Sequence, residues 1–148
     1  MKKNLFYLGM GVLLLLFSLP ACQKDDDDGP ALSEIILSKW EVLQEVQKVY
    51  VNNVLYEDTT ITYEDDEMVV EFLSGGDGKM YEYNVLAGEF DWELNGTTLT
   101  MDIPGEGPMD FKLAYNASTK KITLTYSETE TEDNITYKWE MIITAIKI

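Results

Sequence analysis

The chain has 148 residues with 11 basic and 27 acidic side chains, a net charge of −16, no histidine and a single cysteine. Every basic side chain is a lysine, so the commonest general base and metal ligand is missing together with the bidentate guanidinium clamp for phosphate. Nucleic acid is excluded as a partner because binding it needs a basic footprint, and one cysteine provides neither an intrachain disulfide nor a cysteine-rich metal site.

At the N-terminus, Lys2 and Lys3 precede an apolar run from Leu5 to Leu19, shorter than the about twenty residues that span a bilayer and suited to a signal peptide. Leu19, Ala21 and Cys22 then resemble a bacterial lipoprotein lipobox, in which a leucine three before and a small residue one before the cysteine direct cleavage and diacylation. The resemblance implies that residues 1–21 are removed and that Cys22 carries a lipid anchor into the membrane. Lys24, Asp25 and Asp26 after Gln23 resemble the lysine-plus-acid export signal of Bacteroidetes lipoproteins that face outward from the outer membrane. On composition alone, the same acidic run beside Gly29 and Pro30 is a solvated tether extended by its own charge. Residues 22–30 are thus a lipidated acidic tether, and loss of Lys2 and Lys3 takes the net charge from −16 to −18.

Residues 31–148 have the length of one domain, expected to bury roughly two thirds of its unfolded surface. Ala31 to Ser38 reads as a short helix with Leu32, Ile35 and Ile36 on one side and Glu34 near its start. From Trp40 onward the pattern alternates at period two, with turn residues every eight to twelve positions. Trp40, Val42 and Val46 hold one phase and Val49 and Val51 the other, so a bulge is expected near Gln47-Lys48. Asn52-Asn53 turns the chain, setting Val49 opposite Tyr56, Val51 opposite Val54 and Lys48 opposite Glu57.

Further strands are expected over Met68–Leu73, Lys79–Val85 and Ile135–Ile148, the first two joined by the glycine-rich stretch from Ser74 to Gly78. Asn95-Gly96 marks a two-residue hairpin between Glu89 and Ile103, with a type I′ turn pairing Leu94 with Thr97, Trp92 with Leu99 and Phe90 with Met101. A four-residue loop at Asn116 to Thr119 sets Leu113 opposite Ile122 and Phe111 opposite Leu124, and Pro104 to Pro108 forms a turn between the two hairpins. About nine strands result, an all-β antiparallel up-and-down meander that closes into a barrel; a two-sheet β-sandwich is the alternative.

Leu37-Ser38-Lys39-Trp40 resembles the opening motif of lipocalins, with Ser38 in the place of the glycine. The run from Phe72 to Gly78 and the aromatic strand, Asn-Gly turn and apolar strand from Phe90 to Ile103 are similar to the lipocalin-like domains of Bacteroidetes lipoproteins. The resemblance implies a lipocalin-like β-barrel of about eight to nine strands in which Trp40 is structural, packed at the closed end. It further implies a basic side chain over Trp40, for which Lys138 and Lys147 are the candidates.

Trp92, Tyr81, Tyr83, Tyr126 and Tyr137 are candidates to line a barrel mouth, each offering apolar area with a polar tip, and ordinary packing is the competing role. Met68, Met80, Met101, Met109 and Met141 divide the same way between pocket lining and core filler. Glu64–Glu67 and Glu128–Asp133 read as solvated loops without the glycine and spaced ligands of a calcium loop. Asp58-Thr59-Thr60 resembles the O-glycosylation triad of exported Bacteroidetes proteins. No catalytic residue, metal or cofactor is expected; paired carboxylates such as Asp91 and Glu93 are the only enzymatic chemistry the residue types permit. Two functions remain: a surface-anchored module that holds a small apolar or amphipathic ligand, and a ligand-free module that contacts a surface protein or glycan.

Acyl chains on Cys22 contribute about 0.8 kcal/mol per buried methylene, enough in combination for stable anchoring. Replacing Cys22 with serine is expected to release the protein from membranes, measured by fractionation of cells expressing each form. Unchanged membrane association of the variant refutes the anchor.

Overall fold

The computed structural model describes residues 31–148, so the signal peptide, Cys22 and the Lys24, Asp25 and Asp26 run lie outside the described residues. The elements are α1 (Leu32–Ile36), β1 (Lys39–Val51), β2 (Val54–Thr62), β3 (Met68–Phe72), β4 (Asp77–Glu82), β5 (Val85–Asn95), β6 (Thr98–Ile103), β7 (Gly107–Asn116), β8 (Lys121–Glu132) and β9 (Ile135–Lys147). All pairings are antiparallel, in the order β2-β1-β3-β4-β5-β6-β7-β8-β9, and a further β1–β9 pairing closes the sheet. Eight strands form an up-and-down barrel and β2 is the extra one. Closure decides for the barrel and against the sandwich, since it removes most of the free sheet edge.

One end of the barrel is sealed. Ile35 and Ile36 of α1 are buried, the Trp40 indole Nε1 donates to Ile36 O at 2.9 Å, and the Trp40 ring meets Tyr115 edge-on at 6.4 Å. Phe72 N donates to Ser38 O at 3.0 Å, tying the start of the first strand to the end of β3. Above this floor Phe72 meets Phe90 and Trp92 edge-on at 5.6 and 5.4 Å, a geometry favoured by the ring quadrupoles. Gly78 lies opposite Phe90, and a Cβ there would stand 2.2 Å from the Phe90 ring.

β1 does not keep one partner along its length. Lys39, Trp40 and Glu41 pair with β3, whereas Gln44 to Val51 pair with β2. On the opposite edge β9 runs beside it throughout, with a register shift between Val42 and Gln44 that leaves Leu43 as an extra residue. The expected bulge near Gln47-Lys48 is therefore at Leu43. Trp40 and Val42 point inward before it, and Glu45, Gln47, Val49 and Val51 take the inward positions after it, pairing with Ile143, Met141, Trp139 and Tyr137. Val46, expected in the core phase, faces outward beside Ile142.

Beyond the bulge the outer halves of β2, β1, β9 and β8 extend past the barrel as a four-stranded wing. Glu128 to Glu132 belong to this wing as part of β8, held along their whole length by β9, and not to a loop. A second irregularity makes Tyr56 the extra residue of β2, so Val49 faces Glu57 and Lys48 faces Asp58, with Nζ to Oδ2 at 3.9 Å; Val51 faces Val54 as expected.

Turn chemistry accounts for the remaining corrections. Asn52-Asn53, Tyr83-Asn84 and Asp133-Asn134 each place two successive residues at positive φ, the requirement of a type I′ hairpin. The strand expected over Lys79–Val85 thus ends at Glu82, and Val85 begins the next one. At the Asn95-Gly96 hairpin the loop is Gly96-Thr97, and Asn95 pairs with Thr98. Gly96 alone has positive φ, +61°, the pattern of a type II′ turn with glycine first. Leu94 then faces Leu99 and Trp92 faces Met101, two residues away from the expected register. The shift matches apolar residues across the strands, and because it is even it leaves the same side chains inward. The next hairpin moves by the same amount: Leu113 faces Leu124 and Tyr115 faces Ile122, while Asn116 Oδ1 accepts from Thr119 N at 3.1 Å within the loop.

The Gly78–Phe90 contact yields a stability test. Gly78→Ala forces a methyl group into the ring, and overpacking of this kind costs about 1–3 kcal/mol. In a Phe90→Leu background the same substitution is expected to cost less, measured as the coupling in a urea-denaturation cycle of the four proteins. Equal costs in both backgrounds contradict the contact.

Candidate functional site

The open half of the barrel encloses a cavity of about 220 Å³. Its floor is Trp40, Phe72 and Phe111, and its walls carry Met68, Met80, Met101, Met109 and Met141 with Val70, Ile103 and Ile143. These are all the methionines that follow Cys22, so the flexible, polarisable side chains are concentrated around one space and nowhere else in the domain. An apolar cavity of about 150 Å³ already admits benzene, which sets the scale of what fits here.

Two polar side chains enter this lining besides the already bonded Trp40 indole: Glu45 and Tyr63. The Tyr63 hydroxyl donates to Glu45 Oε2 at 3.2 Å, and Gln47 Nε2 donates to Glu45 Oε1 at 2.5 Å. Tyr63 is fixed through its backbone, whose N–H donates to the carbonyl of the bulged Leu43 at 3.1 Å. Burial pushes the Tyr63 hydroxyl pKa up, and the negative field of Glu45, with smaller contributions from Glu67 and Glu82, adds to it.

The five aromatic candidates lie around this space and not in its wall. Tyr126 faces inward at the rim, where its ring packs against Phe111 at 5.7 Å and its hydroxyl donates to Glu128 Oε2 at 2.8 Å. Tyr137 lies farther out, on the inward face of the wing, stacked on Trp139 with ring centroids 5.9 Å apart. Tyr83 sits in the β4–β5 turn, 65% exposed, and donates to Glu67 Oε1 at 3.1 Å. Tyr81 is on the outer face, where it donates to Glu71 Oε2 at 2.8 Å beneath the ammonium of Lys39, 5.0 Å from its ring. Trp92 is half-buried toward the closed end, its Nε1 bonded to Asp77 O at 2.8 Å. Trp40 is fully buried at the closed end. Lys147 is its cross-strand neighbour, and Lys138 lies out on the wing over Tyr50 at 5.5 Å, bonded to Glu140.

Glu45 escaped the sequence reading because strict alternation from Trp40 and Val42 assigns it to solvent. Only the bulge turns it inward. The one signal in the sequence was the phase conflict along β1, which implied a bulge without locating it.

Acidic side chains occupy both faces of the sheet, whereas the lysines of the described residues avoid the inward face at the open half. Glu45, Glu57, Glu82, Glu128 and Glu130 occupy inward register positions at the open half or on the wing. Lys39, Lys48, Lys79, Lys112, Lys121 and Lys138 occupy outward ones, Lys120 is in a turn at the closed end, and Lys147 is at that same end beside Trp40. A shallower cleft of about 560 Å³ lies over the outside of β4, β5 and β6, walled by Asp77, Lys79, Glu89, Asp91 and Asp102. It opens to water, so the enclosed apolar cavity is the better-formed binding site. Among the described residues no group of three or more histidine, cysteine or acidic side chains is placed to hold a metal ion. Thr59 is exposed in β2. No protein-family model, curated protein or solved structure matches the chain.

The tyrosine–carboxylate bonds predict an alkaline response. Tyr63, Tyr81, Tyr83 and Tyr126 all have pKa values raised above the ordinary phenol, Tyr63 chiefly by burial and the others chiefly by their hydrogen bonds to Glu71, Glu67 and Glu128 respectively. The unfolded chain then loses these protons first, so their contribution is complete below about pH 10 and declines as pH rises through the folded values. Absorbance titration at alkaline pH is expected to show a late-ionising phase that shrinks in Tyr63→Phe. An identical profile in the variant contradicts the Tyr63 environment.

Proposed function

We propose that the domain is a non-catalytic, lipocalin-like module that holds a small apolar or amphipathic ligand in the open half of its barrel. The observation that carries this reading is the 220 Å³ cavity, enclosed by apolar side chains and provided with one carboxylate–phenol pair at its edge. Sites for small molecules have this composition, an apolar lining with a few placed polar groups that orient the ligand. Methionine walls suit a ligand of variable shape, because the thioether side chain adapts at little cost. The lipobox-like run ending at Cys22 supplies the anchor, and Lys24, Asp25 and Asp26 supply the signal for the outer face of the outer membrane. Such a module captures its ligand at the cell exterior.

A second reading, contact with a surface protein or glycan, is favoured by the wing, where Val54, Leu55 and Tyr56 are 68%, 48% and 77% exposed at the end of β2. The two readings use different surfaces and separate experimentally. With methionine methyl groups labelled in the mature chain, 1-octanol is expected to shift the five resonances saturably. Val70→Phe, which fills the cavity, is expected to abolish the shifts and leave any contact made by the wing intact. Methyl resonances that do not respond to 1-octanol in the unmodified protein overturn the cavity reading.

A further inference from the structure

We propose that the cavity selects a cationic amphiphile, an alkyl chain bearing a protonated amine, with Glu45 as the group that receives the ammonium. The inference rests on the cavity reading and narrows it to one ligand class. Glu45 is the only charged side chain in the cavity lining among the described residues. Its carboxylate uses one acceptor position for Tyr63 and one for Gln47. A carboxylate offers about four such positions, so two remain for a donor entering from the open end, and charge-assisted bonds of this kind are the short, strong ones.

The surroundings reinforce the sign. Glu57, Glu82, Glu128 and Glu130 share the inward-facing positions around the opening, and no lysine of the described residues does. A carboxylate headgroup would therefore enter a field of one sign with no cation to pair with, while an ammonium is drawn in. A neutral alcohol gains the apolar contacts and one uncharged hydrogen bond, which a glutamine carbonyl also accepts, without the charge attraction. The bonds from Gln47 and Tyr63 hold the Glu45 carboxylate in place before the ligand arrives, which lowers the ordering cost of binding.

The experiment compares octylamine, 1-octanol and octanoate at neutral pH, each below its aggregation concentration, by calorimetry with the mature chain carrying Cys22→Ser. Octylamine is expected to bind at least about tenfold more tightly than 1-octanol, the factor that about 1.4 kcal/mol supplies, and octanoate more weakly than both. Glu45→Gln, which keeps the shape, removes the charge and retains both bonds once the Gln47 amide turns over to accept, is expected to bring octylamine to within about twofold of 1-octanol and to leave 1-octanol unchanged. Octanoate binding as tightly as octylamine in the unmodified protein overturns the charge selection while leaving the cavity reading in place. A preference for octylamine that survives in Glu45→Gln overturns the role of Glu45. Failure of all three to bind overturns the cavity reading and this inference with it.

Discussion

One extra residue in the first strand, Leu43, organises the molecule. Before it, β1 completes the barrel by pairing with β3 and β9; after it, the strand leaves β3, takes β2 as its neighbour and carries the sheet out into the wing. The bulge also exchanges the faces of the strand, because a side-chain period of two turns a single insertion into an inversion of everything beyond it. Glu45 and Gln47 thereby move from solvent to the edge of an apolar space. The carbonyl of Leu43 holds Tyr63 next to them, so the local irregularity builds both members of the polar pair.

The barrel interior divides along its axis into two kinds of packing. Toward the closed end, rigid aromatic rings interlock around a glycine that leaves room for Phe90, with Trp40 bonded to the helix that seals the floor. Such packing fixes volume closely and leaves no space for a guest. Toward the open end, methionines take over and the density falls enough to leave the cavity. Stability and binding are thus assigned to different ends of one core, so the site can adapt without loosening the closure of the barrel.

Much of this was legible in the residues. The first strand at Trp40, the Asn52-Asn53 turn and a short helix within Ala31 to Ser38 follow from local chemistry that the tertiary structure does not override, whereas the turn expected over Pro104 to Pro108 closes by Glu106, with Gly107 and Pro108 already paired to Ile103 and Asp102 in β7. In the two later hairpins the registers differed by two residues, since apolar pairs such as Leu94 with Leu99 outrank the preferred turn dipeptide while face assignment stays the same; in the first hairpin the extra residue Tyr56 moved them by one. Tyr83-Asn84 was hidden because a tyrosine at positive φ is not a turn signal. The site was less legible than the fold. Of the two sets of candidate lining residues, the aromatic ones lie around the space and the methionines wall it, while its charge is supplied by a glutamate that alternation places on the wrong face.

The position of the bulge is the point on which the fold, the cavity and the selection of charge all depend, and cross-strand NOEs between β1 and β9 measure it directly. With Leu43 as the extra residue, Val42 lies opposite Ala145, Gln44 opposite Thr144 and Glu45 opposite Ile143. Contacts between these pairs, together with a Glu45 side chain close to Tyr63, are the predicted result. An unbroken register that places Glu45 opposite Ile142 would return its carboxylate to solvent and contradict the account.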